Sequence, residues 1–136
     1  MNVDEWFVDT GYWLAWLNRD DELHHLARSL TTQLPAHLVT TEAVLLESGN
    51  AMSRPPLRPL GVSFLTQIRT NPRVIVVPLD SHLLDRAIAL YAARPDKEWG
   101  LVDCTSFIVM QDRGITQALA ADQHFVQAGF RALLRD

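Results

Sequence analysis

Short apolar runs alternate with longer stretches of helical spacing from one end of the chain to the other. Trp6-Phe7-Val8 reads as a buried strand ending at Asp9, and Tyr12 to Leu17 is apolar and of helical length. The polar break Asn18-Arg19-Asp20-Asp21 precedes a second helix, capped by Asp20 or Asp21 and running to about Leu34. Its inner face is Leu23, Leu26, Ala27 and Leu30, and Pro35 stops it. Leu38-Val39-Thr40 is a second strand, and Thr41 caps a third helix with Val44, Leu45, Ser48 and Met52 at helical spacing. The segment Arg54-Pro55-Pro56-Leu57-Arg58-Pro59 breaks the pattern, and a fourth helix follows from about Leu60 to Arg69. Arg73 to Val77 is nearly continuously apolar, as expected of a parallel strand buried on both faces.

Asp80 or Ser81 caps a fifth helix through Ala93, and a sixth spans roughly Val102 to Asp112 with Gly114 as its stop. Ile115 to Ala121 gives a fourth strand, followed by Asp122, and Phe130 to Leu134 gives a last short one after Gly129. Strands alternating with helices predict an α/β fold around a mostly parallel sheet. At 136 residues, with no internal repeat, one domain over 1–136 is expected.

Composition narrows the class. Apolar residues make up 48% and charged residues 21%, values that suit a folded core and argue against disorder. Cys104 is the single cysteine, which excludes an internal disulfide framework and a Cys-rich zinc site. The start Met1-Asn2-Val3-Asp4-Glu5 lacks the basic region of a signal peptide. No apolar run reaches the roughly 18 residues needed to cross a bilayer, so the expected location is the cytoplasm. A net charge of −4 argues against a protein that holds nucleic acid by bulk electrostatics alone. It leaves room for a nuclease whose acidic site takes up a divalent cation first. Eleven of the twelve basic residues are arginine, which suits forked phosphate contacts.

The candidate chemistry lies in four carboxylates. Asp9 and Asp122 follow their strands directly, at the carboxyl ends where open α/β sheets bind ligands. Glu47 and Asp103 sit within apolar helical stretches, where a bare charge is costly unless it is paired or holds a cation. Acids distant in sequence that share one sheet edge make a site for a hard cation such as Mg2+ or Mn2+. Simpler roles stand beside this one. Asp9, Asp103 and Asp122 can each cap a helix, and Glu42 is a second candidate at the edge of the site. Phe7-Val8-Asp9-Thr10-Gly11 also occurs as the aspartic-protease loop, but those enzymes need a paired loop on an all-β frame. His124, beside Phe125, reads as a packing or hydrogen-bonding residue rather than a general base. His24, His25, His37 and His82 have no metal-ligand spacing and read as surface. The four tryptophans read as core or interface.

In these segments the chain resembles PIN-domain proteins, in particular the VapC-like ribonuclease toxins of prokaryotic toxin–antitoxin pairs. The resemblance spans nearly the whole chain. It is carried by Asp103 to Met110, Gly114-Ile115, Ala118 to Phe125 and Ala128-Gly129-Phe130. Phe7 to Trp13 and Thr40 to Glu47 match the segments around the family's first acid and its glutamate. The resemblance implies an α/β/α sandwich and a ribonuclease using Mg2+ or Mn2+ held by Asp9, Glu47, Asp103 and Asp122. Thr10 and Ser106 would support those ligands. It also implies a homodimer and a cognate antitoxin whose C-terminal segment crosses the site, with an arginine placed among the acids. Arg54 and Arg58 then read as an RNA-facing loop, or as plain surface linker. The competing readings are a PIN nuclease that processes RNA or DNA without an antitoxin, and a PIN-like module that binds without cutting.

Overall fold

The structure is a computed structural model that describes residues 4–135. Met1, Asn2 and Val3, part of the stretch that lacks a basic signal, lie outside the described residues, as does Asp136. In chain order the elements are β1 (Glu5–Val8), α1 (Thr10–Leu17), α2 (His24–Ser29), a 3-10 turn (Leu30–Gln33), β2 (His37–Thr41), α3 (Glu42–Ala51) and α4 (Arg58–Ile68). There follow β3 (Val74–Val77), α5 (Ser81–Ala93), α6 (Leu101–Arg113), β4 (Gln117–Leu119), α7 (Gln123–Gln127) and β5 (Arg131–Ala132). Helices sandwich the sheet, giving three α/β/α layers. The five strands run in the order β3-β2-β1-β4-β5, and every pairing is parallel.

That order decides where a site can form. From β1 the chain moves outward through β2 to β3, then crosses back to β4 on the other side of β1. The carboxyl ends of β1 and β4 therefore flank the point where the winding reverses, which is where open α/β sheets leave a crevice. The end of β1 is fixed from both neighbours. The Thr40 hydroxyl donates to the Val8 carbonyl at 2.9 Å, and the Asp9 N–H donates to the Leu119 carbonyl at 3.2 Å.

Caps and breakers act where the sequence puts them. The Thr41 side chain accepts from the Val44 N–H, and Asp80 accepts from the Leu83 N–H. Gly114 ends α6 with φ 68°, the left-handed conformation glycine adopts without strain. Several expected boundaries shift. The second helix is short and tightens into the 3-10 turn, because Leu34 before Pro35 is extended. Asp21 accepts from the Leu23 N–H without capping α2 itself. α4 begins at Arg58 rather than Leu60, since Pro59 fits a first helical turn that needs no N–H partner. The strands after Gly114 and Gly129 shrink to three and two residues. β3 is corrected outright: it is half-buried along its length and, among the described residues, an edge strand paired with β2 alone.

The core joins Phe7, Val8, Val39, Met110, Leu119 and Phe125, all fully buried, to an aromatic group centred on α6. The Phe107 ring lies 5.0 Å from Trp99, 5.1 Å from Phe125 and 5.8 Å from Phe130. Trp13 and Trp99 are buried, and Trp6 and Trp16 are half-buried against the core. This aromatic group ties α6 to α7, the helices next to Asp103 and Asp122. Phe107→Ala removes its centre and is expected to cost about 3–5 kcal/mol, read as a lower midpoint in denaturant unfolding; a loss under about 1 kcal/mol would be too small for a cavity there.

Candidate active site

Asp9 stands first after β1. It occupies the cap position of α1, yet its side chain makes no capping hydrogen bond. It is 9% exposed. Burial pushes its carboxyl up from 3.8 to about 7. The Thr10 backbone N–H opposes that rise, and the charges of Asp103, Glu47 and Asp122 add to it. Those three charges act on Asp9 from an α6 side chain, an α3 side chain and the loop after β4, so the fold brings all four acids together. Among the described residues, no lysine or arginine pairs with any of them.

Each of the other acids is held differently. Asp103, in the first turn of α6, accepts the Gly100 N–H on Oδ2 at 3.0 Å. Asp122 caps α7 by accepting the His124 N–H on Oδ1 at 2.9 Å. Both therefore do the local job that helix ends ask of a carboxylate while facing the cluster. Glu47 accepts the Thr10 hydroxyl on Oε1 at 2.7 Å. It does not lean into the apolar face of α3, as its spacing suggests, but is exposed. Thr10 is buried and ties the start of α1 to this glutamate.

Other expected residues sit elsewhere. Glu42 accepts the Leu79 N–H at 2.8 Å and pairs with Arg69 at 3.5 Å, outside the acid cluster. Ser106 is fully buried, but its hydroxyl donates to the Val102 carbonyl at 3.0 Å rather than to a carboxylate. A buried serine in a helix finds its nearest acceptor one turn back. Arg54 is exposed. Arg58 donates to the Ser53 carbonyl at 3.2 Å and lines a cleft of about 640 Å³ between α3 and α4, which none of the four acids lines. His25, His37 and His82 are exposed, whereas His24 is half-buried and within 2.7 Å of the Ala15 carbonyl.

His124 is the residue whose contacts the sequence does not reveal. Its Nδ1 lies 2.9 Å from Asp103 Oδ2 and 3.3 Å from Asp122 Oδ1. Asp103, Asp122 and His124 each offer a ligand atom, and these atoms lie within 4.8 Å of one another. The donor set is oxygen-rich and clustered, and among the described residues no lysine or arginine pairs with it. That chemistry fits Mg2+ or Mn2+, which take carboxylate oxygen and water.

The chain is similar to known proteins over most of its length. A family model described as PIN domain matches residues 6–131. The 23S rRNA-specific endonuclease VapC20 of Mycobacterium tuberculosis, in strains CDC 1551 / Oshkosh and ATCC 25618 / H37Rv, is 33% identical over 124 residues, covering 91% of this chain and 94% of the relative. The crystal structure of M. tuberculosis VapC20, a sarcin–ricin loop cleaving toxin, superimposes with a TM-score of 0.85 at 32% identity, covering 91% of this chain and 95% of that one.

Between 3.8 and about 7 the folded chain holds the Asp9 carboxyl proton more tightly than the unfolded chain does. Its contribution therefore falls as pH rises through that window, and the full penalty is present above it. Without divalent cation, Asp9→Asn is expected to raise stability by about 1–3 kcal/mol near pH 8, with the gain shrinking as the pH approaches 4. Thermal unfolding in EDTA across this range checks it. A gain that does not change with pH would show that the charge of Asp9 is not the cause.

Proposed function

Since this chain belongs to the PIN-domain family, we propose that it is a divalent-cation-dependent endoribonuclease, the toxin of a type II toxin–antitoxin pair. The observation that carries the cation dependence is the buried Asp9, its carboxyl raised by burial and further by the charges of three other acids, with no lysine or arginine paired to any of the four among the described residues. The observation that carries the toxin reading is the similarity over 91% of the chain to a named toxin endonuclease.

In this reading Asp9, Asp103 and Asp122 hold the cation, and Glu47 completes the set or orients a water. A bound Mg2+ or Mn2+ supplies a more acidic water and offsets charge on the phosphoryl oxygens. The protein residues position and support. β1 and β4 aim Asp9 and Asp122 at one edge, and the Gly100 N–H fixes one oxygen of Asp103. Thr10 fixes one oxygen of Glu47 and leaves Oε2 without a hydrogen bond among the described residues. Arg54, exposed on the connection into α4, and Arg58, exposed at the first position of that helix, are assigned to the RNA backbone.

The same reading gives the chain a single nuclease domain over 1–136, a homodimeric state, a cytoplasmic location and a cognate antitoxin. The antitoxin covers the acids and offers them an arginine, which would supply the cation that the cluster lacks. Among the described residues, no helix is long and apolar enough to cross a membrane. The relative acts on 23S rRNA at the sarcin–ricin loop, and we assign this chain a structured ribosomal RNA as well.

Purified protein freed of any antitoxin is expected to cut total cellular RNA, and a sarcin–ricin loop oligonucleotide, into discrete fragments with Mg2+ or Mn2+. EDTA should abolish cutting, and Asp103→Asn should lower it by more than about 100-fold, the upper end of what losing a supporting residue costs a metal site. Cleavage unchanged in Asp103→Asn would identify a contaminating nuclease. Absence of cleavage by folded, cation-loaded protein would favour a binding module.

A further inference from the structure

We infer that His124 is a positioning residue of the cation site: its Nδ1–H donates to one oxygen of Asp103 and sits beside one oxygen of Asp122, leaving each carboxylate's other oxygen for the cation. This rests on the reading of the four acids as a cation site. The geometry sets the direction of the contact. Nδ1 lies 2.9 Å from Asp103 Oδ2 and 3.3 Å from Asp122 Oδ1. Ionised carboxylates only accept, so Nδ1 carries the hydrogen.

The other contacts of the two acids sort their oxygens the same way. Asp103 Oδ2 also accepts the Gly100 N–H at 3.0 Å, and Asp122 Oδ1 also accepts the His124 N–H at 2.9 Å. Protein donors thus converge on one oxygen of each acid. Asp103 Oδ1 and Asp122 Oδ2 accept no hydrogen bond from the described residues, and they are the atoms available to a cation. The two acids belong to different elements, α6 and the loop after β4, and like charges at this range repel. His124 is the side chain that touches both. Its own position is fixed by the next residue, since Phe125 is fully buried and packs 5.1 Å from Phe107 on α6.

Binding of Mn2+ alone, followed by electron paramagnetic resonance on protein stripped with EDTA, tests this without reference to cleavage. His124→Asn keeps an N–H donor on the atom bonded to Cγ, where Nδ1 sits, and removes the rest of the ring. His124→Phe keeps the ring and removes the donor, and His124→Ala removes both without adding bulk. The Phe and Ala variants are expected to bind Mn2+ about 10- to 100-fold more weakly than wild type. The Asn variant should recover most of that loss, and all three should unfold at nearly the wild-type temperature in EDTA. Wild-type affinity in the Phe and Ala variants overturns the proposal. So does an Asn variant as weak as Ala, which would put Nε2 on the cation. A wild type that binds Mn2+ no better than Asp9→Asn/Asp103→Asn fails one level lower, by removing the cation site itself.

Discussion

Asp9 is a carboxylate nearly out of water that feels the charges of Asp103, Glu47 and Asp122, and among the described residues no lysine or arginine pairs with any of the four. A folded chain can bear that arrangement in two ways. It can keep the carboxyl protonated, which the rise to about 7 reflects, or it can bring in a cation. Any counter-charge supplied by the protein would remove the need for an outside one. The arginines in ion pairs are committed elsewhere: Arg69 to Glu42, Arg86 to Asp112, Arg94 to Asp96 and Arg113 to Glu5.

The fold makes this crowding possible by placing the reversal of sheet winding between β1 and β4. The carboxyl ends of adjacent parallel strands lie at one edge, so Asp9 and Asp122 come together without close neighbours in sequence. Thr40 and Leu119 grip the last residues of β1 from either side, which limits how far Asp9 can retreat. α6 and α3 then bring Asp103 and Glu47 to the same edge. Two of these acids also serve their own helix ends, so their backbone placement is stabilised whether or not a cation is bound.

Much of this was legible in the sequence, because the signals are local. Trp6-Phe7-Val8 before Asp9, the Thr41 and Asp80 caps and the Gly114 stop each act within a few residues, and each stands where the pattern put it. Strand order is not local. Val74-Ile75-Val76-Val77 is apolar enough for a central strand, yet it lies at the sheet edge, and nothing in four apolar residues distinguishes the two positions. The choice between Glu42 and Glu47 was equally hidden: both follow Thr41, and the structure gives Glu42 to Leu79 and Arg69 while Thr10 holds Glu47. Ser106 was expected to face a carboxylate and instead bonds within its own helix, since helical spacing reports a face and not a partner. The contact of His124 with Asp103 joins residues 21 apart in sequence, a distance no motif spans.

The central claim is that the four acids form one cation site. A crystal of the protein soaked in Mn2+ and measured at the manganese absorption edge tests it most directly. The account predicts an anomalous peak within ligand distance of Asp9, Asp103 and Asp122, with Glu47 bound directly or through water, and no such peak in Asp103→Asn. Manganese absent from this edge at saturating concentration, or bound elsewhere while the acids keep their positions, would contradict it.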